Sequence, residues 1–333
     1  MLSGQFKTFS YPMPSNAAEW DQQKEQLRSK LWQILGDLPP LFTPKPEIIL
    51  REQRKGYTLH KIQFKNGVDD MVYGYLAIPD QCTEPGPAIL YHHYHGGEYD
   101  NGKEEVLKDY PVDKPPLETL TQAGYVVLAI DAYGFGERQH QGPAGDKESG
   151  QQTESALFKQ FIWQGKTLWG MMIRDDQLAL NYLLSRPEVD SKRVGATGMS
   201  MGSTRSWWLS ALDNRISAAV CVCCLTRYQN IIQHGENNQH GIYYYVPDVL
   251  YNDIDMEAVV GLIAPRPLMT QTGDQDGGSP IDGVNAINSF VKSIFGLYNQ
   301  PDCFKDMIYP GIGHKYTPEM WSETLAWFEK HLK

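Results

Sequence analysis

From Pro87 to its last residue the chain alternates short apolar runs with segments of helical periodicity, and this constrains its fold more than any other feature. "PAILYHH" leads to "PPLETLTQAG", "YVVLAID" to the long amphipathic "TLWGMMIRDDQLALNYLLSRPEVD", and "KRVGATGMS" to "MGSTRSWWLSALD". "RISAAVCVCC", "RPLMTQTGD" and "CFKDMIYPG" continue the series, with "SPIDGVNAINSFVKSIFGLY" and "TPEMWSETLAWFEKHL" as the closing helices. Strands separated by helices pair in parallel through crossovers and build a sheet covered on both faces. In such an open sheet, the turns at the carboxyl ends of the strands carry the chemistry.

Ahead of this series, "NAAEWDQQKEQLRSKLWQILGDLPP" predicts a helix. Asn16 caps it, Trp20, Leu27, Leu31, Ile34 and Leu35 form its apolar stripe, and Gly36 with Pro39 stops it. "EIILREQ", "YTLHKIQF" and "MVYGYLAIP" then read as an antiparallel meander, joined through "RKG" and "KNGVDD". The expected organisation is a helical extension over residues 1–45, packed on a single catalytic domain over 46–333. Two irregular insertions fall at about 139–165 and 225–255.

The chain has 333 residues, enough for one large α/β domain with insertions. Its 30 basic and 40 acidic side chains give a formal charge of −10, with no basic stripe. That argues against nucleic acid or an anionic membrane as the main partner. A homo-oligomer is left open. The five cysteines include "CVCC" at the end of an apolar run, read as reduced thiols of a buried strand with Cys221 and Cys223 on one face. No apolar leader precedes the first helix and no run reaches membrane-spanning length. The expected compartment is therefore the cytoplasm, or an exported one if a leader was removed.

Within "VGATGMSMGSTRSWW", Ser200 stands between the strand and the helix with Gly198 and Gly202 on either side. A serine on a sharp strand-to-helix turn needs a strained backbone and neighbours without side chains, and the helix that follows aims its positive end at the reacting centre. A serine hydroxyl also needs a base. "YPGIGHKYTP" supplies His314 after the last strand, and "TQTGDQDGGSP" supplies a carboxylate after the preceding one. Asp276, deep in that turn before Gly277 and Gly278, is preferred to Asp274, which could instead brace the loop, and to the remoter Asp282. The order Ser, Asp, His along the chain, each following a strand, is one that P-loop, Rossmann or chymotrypsin-like architectures do not produce. Two backbone donors must hold the developing oxyanion. The Met201 N–H is one, and the turn "YHHYHGG" offers the His95 N–H, with Tyr94 as the alternative. His93 and His95 have the H-x-H spacing of a metallohydrolase, but no further ligands follow, and no phosphate-binding glycine motif follows any strand. Neither a metal nor a cofactor is expected.

The segments "HHYHGG", "DAYGFGER", "GMSMGS", "GDQDGGSP" and "GHKYTPEMW" resemble the α/β-hydrolase superfamily in its dienelactone hydrolase and acetyl xylan esterase-like branch. The resemblance spans roughly Tyr57 to Lys333. It implies an α/β-hydrolase fold: a mostly parallel, eight-stranded sheet with helices on both faces, hydrolysing esters through serine without a cofactor. Dienelactone hydrolases proper use a cysteine nucleophile where this chain has Ser200, and Ser203 stands where a second glycine is common. Asp131 and Arg138 are expected to brace the site. In the tyrosine-rich excursion after Leu225, Tyr243, Tyr244, Tyr245 and His240 suit stacking on a sugar ester, with packing of the loop or a subunit contact as the other reading. His240 and Tyr244, together with Tyr94, are the preferred candidate contacts. Trp163, Trp169, Trp207 and Trp208 read mainly as core. The expected function is a serine carboxylesterase acting through an acyl-enzyme on short-chain esters, acetylated carbohydrates among them. The rival readings are a prolyl-oligopeptidase-type peptidase and an inactive hydrolase-fold binding protein.

Overall fold

The computed structural model describes residues 8–68 and 70–333. Its strands are β1 (Glu47–Arg54), β2 (Tyr57–Lys65), β3 (Met71–Pro79), β4 (Gly86–His92), β5 (Val126–Ile130), β6 (Val189–Met199), β7 (Ala218–Val222), β8 (Leu268–Gly273) and β9 (Phe304–Tyr309). Its α-helices are α1 (Ala17–Leu35), α2 (Pro116–Gln122), α3 (Gln151–Trp163), α4 (Leu168–Leu184), α5 (Met201–Leu212), α6 (Tyr228–His234), α7 (Met256–Gly261), α8 (Ile281–Leu297) and α9 (Pro318–Leu332). Among the described residues the strands form one nine-stranded sheet in the order β1-β2-β3-β5-β4-β6-β7-β8-β9. β1, β2 and β3 are the antiparallel meander, β3 meets β5 antiparallel, and the pairings from β5 through β9 are parallel. The resemblance implied eight strands. The ninth is accounted for by "EIILREQ", which forms β1 along the outer edge of β2 and stays largely exposed.

Alternation along the strands builds the two faces. Ala88 and Leu90 of β4, with Val126, Leu128 and Ile130 of β5, pack towards Leu178, Leu180 and Leu183 of α4. Their neighbours Ile89, Tyr91, Val127 and Ala129 pack on the other side with α2 and with Trp321, Trp327 and Phe328 of α9. Helices thus cover both faces, as a parallel sheet requires.

Helix α1 begins as expected, the Asn16 side chain accepting the Glu19 N–H at 3.0 Å. Trp20, Leu31 and Leu35 are fully buried. Trp20 reaches the Gly261 carbonyl at the end of α7 at 3.3 Å, and Arg28 donates to Ala211 at the end of α5 at 3.0 Å. The extension is thereby fastened to the helices behind the sheet.

The segment read as an irregular insertion at 139–165 contains α3, whose Glu154 is buried. Trp169, Trp207 and Trp208 are core, as expected, but Trp163 is 88% exposed because it ends α3 on the face away from the sheet. The "CVCC" run is strand only to Val222. Cys223 and Cys224 leave it with φ of 63° and 50°, so Cys223 does not share a strand face with Cys221. All five thiols are unpaired. Among the described residues no helix is long and apolar enough to cross a membrane.

Candidate active site

Ser200 occupies the junction of β6 and α5 with φ 57° and ψ −119°, a conformation that non-glycine residues rarely hold and that the surrounding structure must enforce. Its N–H is tied to the Val222 carbonyl at 2.9 Å. Side chains at the flanking positions would be ruinous. A Cβ on Gly198 would lie 2.1 Å, and one on Gly202 2.0 Å, from the carbonyl oxygen of His92 at the end of β4. The glycines of the motif therefore let α5 start against β4, with the serine raised over the sheet edge. Ser203, where a glycine is common, uses its hydroxyl to bond the Cys223 carbonyl at 2.7 Å.

The turns after β8 and β9 are stitched together by backbone. Asp274 N–H donates to Tyr309 O at 3.1 Å and Gln275 N–H to Ile312 O at 2.9 Å. The Asp274 carboxylate accepts the Gly311 N–H at 2.7 Å, so it braces the pair of loops. Asp282 instead pairs with His234 on the surface at 3.0 Å. Asp276 is the carboxylate brought to His314, with Oδ2 to Nδ1 at 2.9 Å. It is buried and also accepts from Gly278 N at 3.0 Å and Ser279 Oγ at 3.1 Å. Burial alone would raise its pKa. The bonds from His314, Ser279 and Gly278 outweigh that and hold the carboxyl below its usual range.

Ser200, Asp276 and His314 line one cavity of about 440 Å³, together with His95, His240 and Tyr243. A second, smaller cavity of about 190 Å³ also opens on Ser200 and His314, between Tyr94, Tyr110 and Met199. Ser200 Oγ rests 3.5 Å from the sulfur of Cys224. Cys224 was not foreseen as a site residue. The signal for it was its place at the carboxyl end of β7, next to the strand bearing the serine. Burial pushes its thiol up to about 12.

On the other flank, the Tyr94 N–H is already bound to buried Glu105 at 2.6 Å. Neither the His95 nor the Met201 N–H is given to another acceptor among the described residues. The His95 ring stacks on Tyr243 at 5.2 Å and meets Glu154 of α3 at 3.3 Å, which fixes the turn that presents its backbone. His93, the other member of the H-x-H pair, has both ring nitrogens on backbone groups, Tyr94 O at 2.8 Å and Ala132 N–H at 3.0 Å. One cluster among the described residues could chelate a metal: Cys223, Asp276 and His314, whose donor atoms lie within 4.8 Å of one another. Its carboxylate and imidazole are bonded to each other, and burial keeps the Cys223 thiol protonated.

The three candidate substrate contacts separate. Tyr94 lines the smaller cavity and His240 the larger. Tyr244 lies behind His240, its ring stacked on the imidazole at 3.9 Å, and it faces a different, mostly apolar cavity. The tyrosine on the Ser200 cavity is its neighbour Tyr243, because the segment turns through a short 3-10 helix over Ile242–Tyr244 that sends adjacent rings to different sides. Burial lowers the His240 pKa to about 4, so the ring is neutral near pH 7. Asp131 pairs with buried Lys103 at 2.9 Å, tying the end of β5 to the segment after β4, and Arg138 pairs with Asp175 of α4 at 3.0 Å; neither residue lines the cavities at Ser200.

Residues 72–246 match the dienelactone hydrolase family. The chain is 33% identical over 311 residues to the Bacillus subtilis (strain 168) protein named "Putative hydrolase YtaP", covering 93% of this chain and 100% of that one. Among solved structures, a "putative acetyl xylan esterase" of Bacteroides fragilis has a TM-score of 0.71 at 21% identity, over 90% of this chain and 78% of that one. A glucuronoyl esterase of Solibacter usitatus reaches 0.71 at 16% identity, over 98% of this chain and 99% of its own. The solved structures share the α/β-hydrolase fold, and the sequence matches place the descent: this chain belongs to the dienelactone hydrolase family.

Proposed function

We propose that the protein is a serine-dependent carboxylic ester hydrolase that works through an acyl-enzyme on short-chain esters, acetylated carbohydrates among them. The observation that carries this reading is the 2.9 Å bond between Asp276 and His314 on the cavity that also holds Ser200 on its strained turn. In the reaction, Ser200 Oγ attacks the ester carbonyl while His314 takes its proton. Asp276 keeps Nδ1 protonated and stabilises the imidazolium. The Met201 and His95 N–H groups receive the negative charge that forms on the carbonyl oxygen. His314 returns the proton to the departing alkoxide, leaving an acyl group on Ser200. Water, deprotonated by the same imidazole, then cleaves that ester to the free acid. The acetyl xylan esterase and glucuronoyl esterase that share this architecture support the direction of this reading.

Two measurements test it. A fluorophosphonate probe is expected to label the wild type and not Ser200→Ala, and p-nitrophenyl acetate is expected to be turned over faster than the octanoate. Labelling that persists in the alanine variant would sink the assignment of the nucleophile.

A further inference from the structure

The two cavities that meet at Ser200 differ in size and chemistry, and the difference sorts the two halves of an ester. The smaller is walled by Tyr94, Tyr110 and Met199. Tyr110 packs edge-on to Tyr94 at 6.0 Å and to Tyr316 at 6.4 Å, and its hydroxyl is turned onto the Met199 sulfur at 2.7 Å. The wall is therefore mostly apolar, with its most polar atom satisfied internally. Its volume of about 190 Å³ equals that of roughly six water molecules at about 30 Å³ each, room for a short acyl chain, and is less than half that of its neighbour. The larger cavity, about 440 Å³, is within the range that holds a small-molecule ligand. It is lined by Asn238, Gln239 and His240, which offer donors and acceptors without charge near pH 7. No lysine or arginine lines either cavity among the described residues.

Orientation follows from size and lining. His314 borders both cavities, so the imidazole does not by itself choose a side, and the polar groups of Asn238, Gln239 and His240 meet the hydroxyls of an alcohol only on the larger one. Resting on the esterase reading above, we infer that the acyl group enters the Tyr94–Tyr110–Met199 pocket while an uncharged, hydroxyl-bearing alcohol fills the Asn238–His240 side. Tyr110 is then the residue that sets acyl length, and the substrate class is a short-chain acyl ester of a neutral sugar. The methyl ester of a sugar acid would have to enter the other way round.

The test uses the full chain. Tyr110 lies in the loop between His92 and α2, a place that tolerates change better than the core. With p-nitrophenyl acetate, butyrate and octanoate, Tyr110→Ala is expected to raise the octanoate-to-acetate ratio of kcat/KM at least about tenfold, and Tyr110→Trp to depress butyrate relative to acetate. Asn238→Ala and Gln239→Ala should leave the chain-length ratio in place. They should lower kcat/KM on acetylated xylo-oligosaccharide several-fold relative to p-nitrophenyl acetate. Two results would overturn the inference: chain-length ratios unmoved in both Tyr110 variants, or faster turnover of a methyl uronate than of the acetylated sugar. If no ester is turned over and the phosphonate probe does not label Ser200, the failure lies in the esterase reading itself. If labelling and acetate turnover persist, only the cavity assignment has failed.

Discussion

Asp274, Asp276 and Asp282 lie within nine positions of one another, yet the structure gives each a different task. Asp274 holds a backbone amide, Asp282 a surface histidine, and Asp276 the imidazole of His314. Replacing Asp276 by Asn keeps the shape but favours the wrong tautomer of His314, and kcat is expected to fall by about four orders of magnitude. Asp274→Ala is expected to retain kcat within a few-fold and to lose about 1 kcal/mol of stability with its loop bond. Steady-state kinetics and urea titration on the two variants measure both. Ser200, Asp276 and His314 were readable from sequence because each sits at a fixed place relative to a strand end and because side chains are excluded at Gly198 and Gly202. The choice of Tyr243 over Tyr244, and the place of Cys224, were not. Which of two adjacent tyrosines faces a cavity depends on a 3-10 turn without periodicity, and the left-handed backbone of Cys223 and Cys224 comes from contacts with other strands.

At the level of elements, α5 is held beneath the serine by a buried ion pair. Arg205 of α5 meets Asp176 of α4 through bonds of 3.1 Å and 2.6 Å, and His92 of β4 stands 3.6 Å from the same carboxylate. Removing the cation alone strands a carboxylate in the core, so Arg205→Met is expected to cost about 3–5 kcal/mol in chemical denaturation. The double variant Arg205→Met with Asp176→Leu is expected to recover most of that loss. The apolar stripe of α1, the meander and the alternating strands and helices were all legible, since each has its own period. α3 was not, because its buried Glu154 and exposed Trp163 invert the usual pattern: the carboxylate is kept inside by Tyr99 at 2.8 Å and by His95.

Across the whole molecule, buried carboxyls couple stability to pH. Burial raises Asp131, Asp175, Asp176, Asp255 and Glu257, and it takes Glu105 from 4.5 to about 8. A carboxyl whose folded pKa is raised binds its proton more tightly in the native state. Its contribution is therefore complete below the unfolded value near 4.5 and is lost as pH climbs through about 8. Buried His92, His93 and His240 are depressed and act in the opposite sense, losing stability as pH drops below 6.5. A comparison isolates Glu105. Glu105→Gln can still accept the Tyr94 N–H and donate to Tyr91, so its Tm relative to wild type is expected to gain a few degrees between pH 5 and pH 8. A constant offset over that range would contradict the assignment.

The strand order also makes the site a reporter on the sheet. Ser200 stands at the end of β6 and His314 follows β9, with β7 and β8 between them. Displacing either intervening strand would part the hydroxyl from the imidazole, so any probe that senses their closeness also senses whether that half of the sheet is assembled.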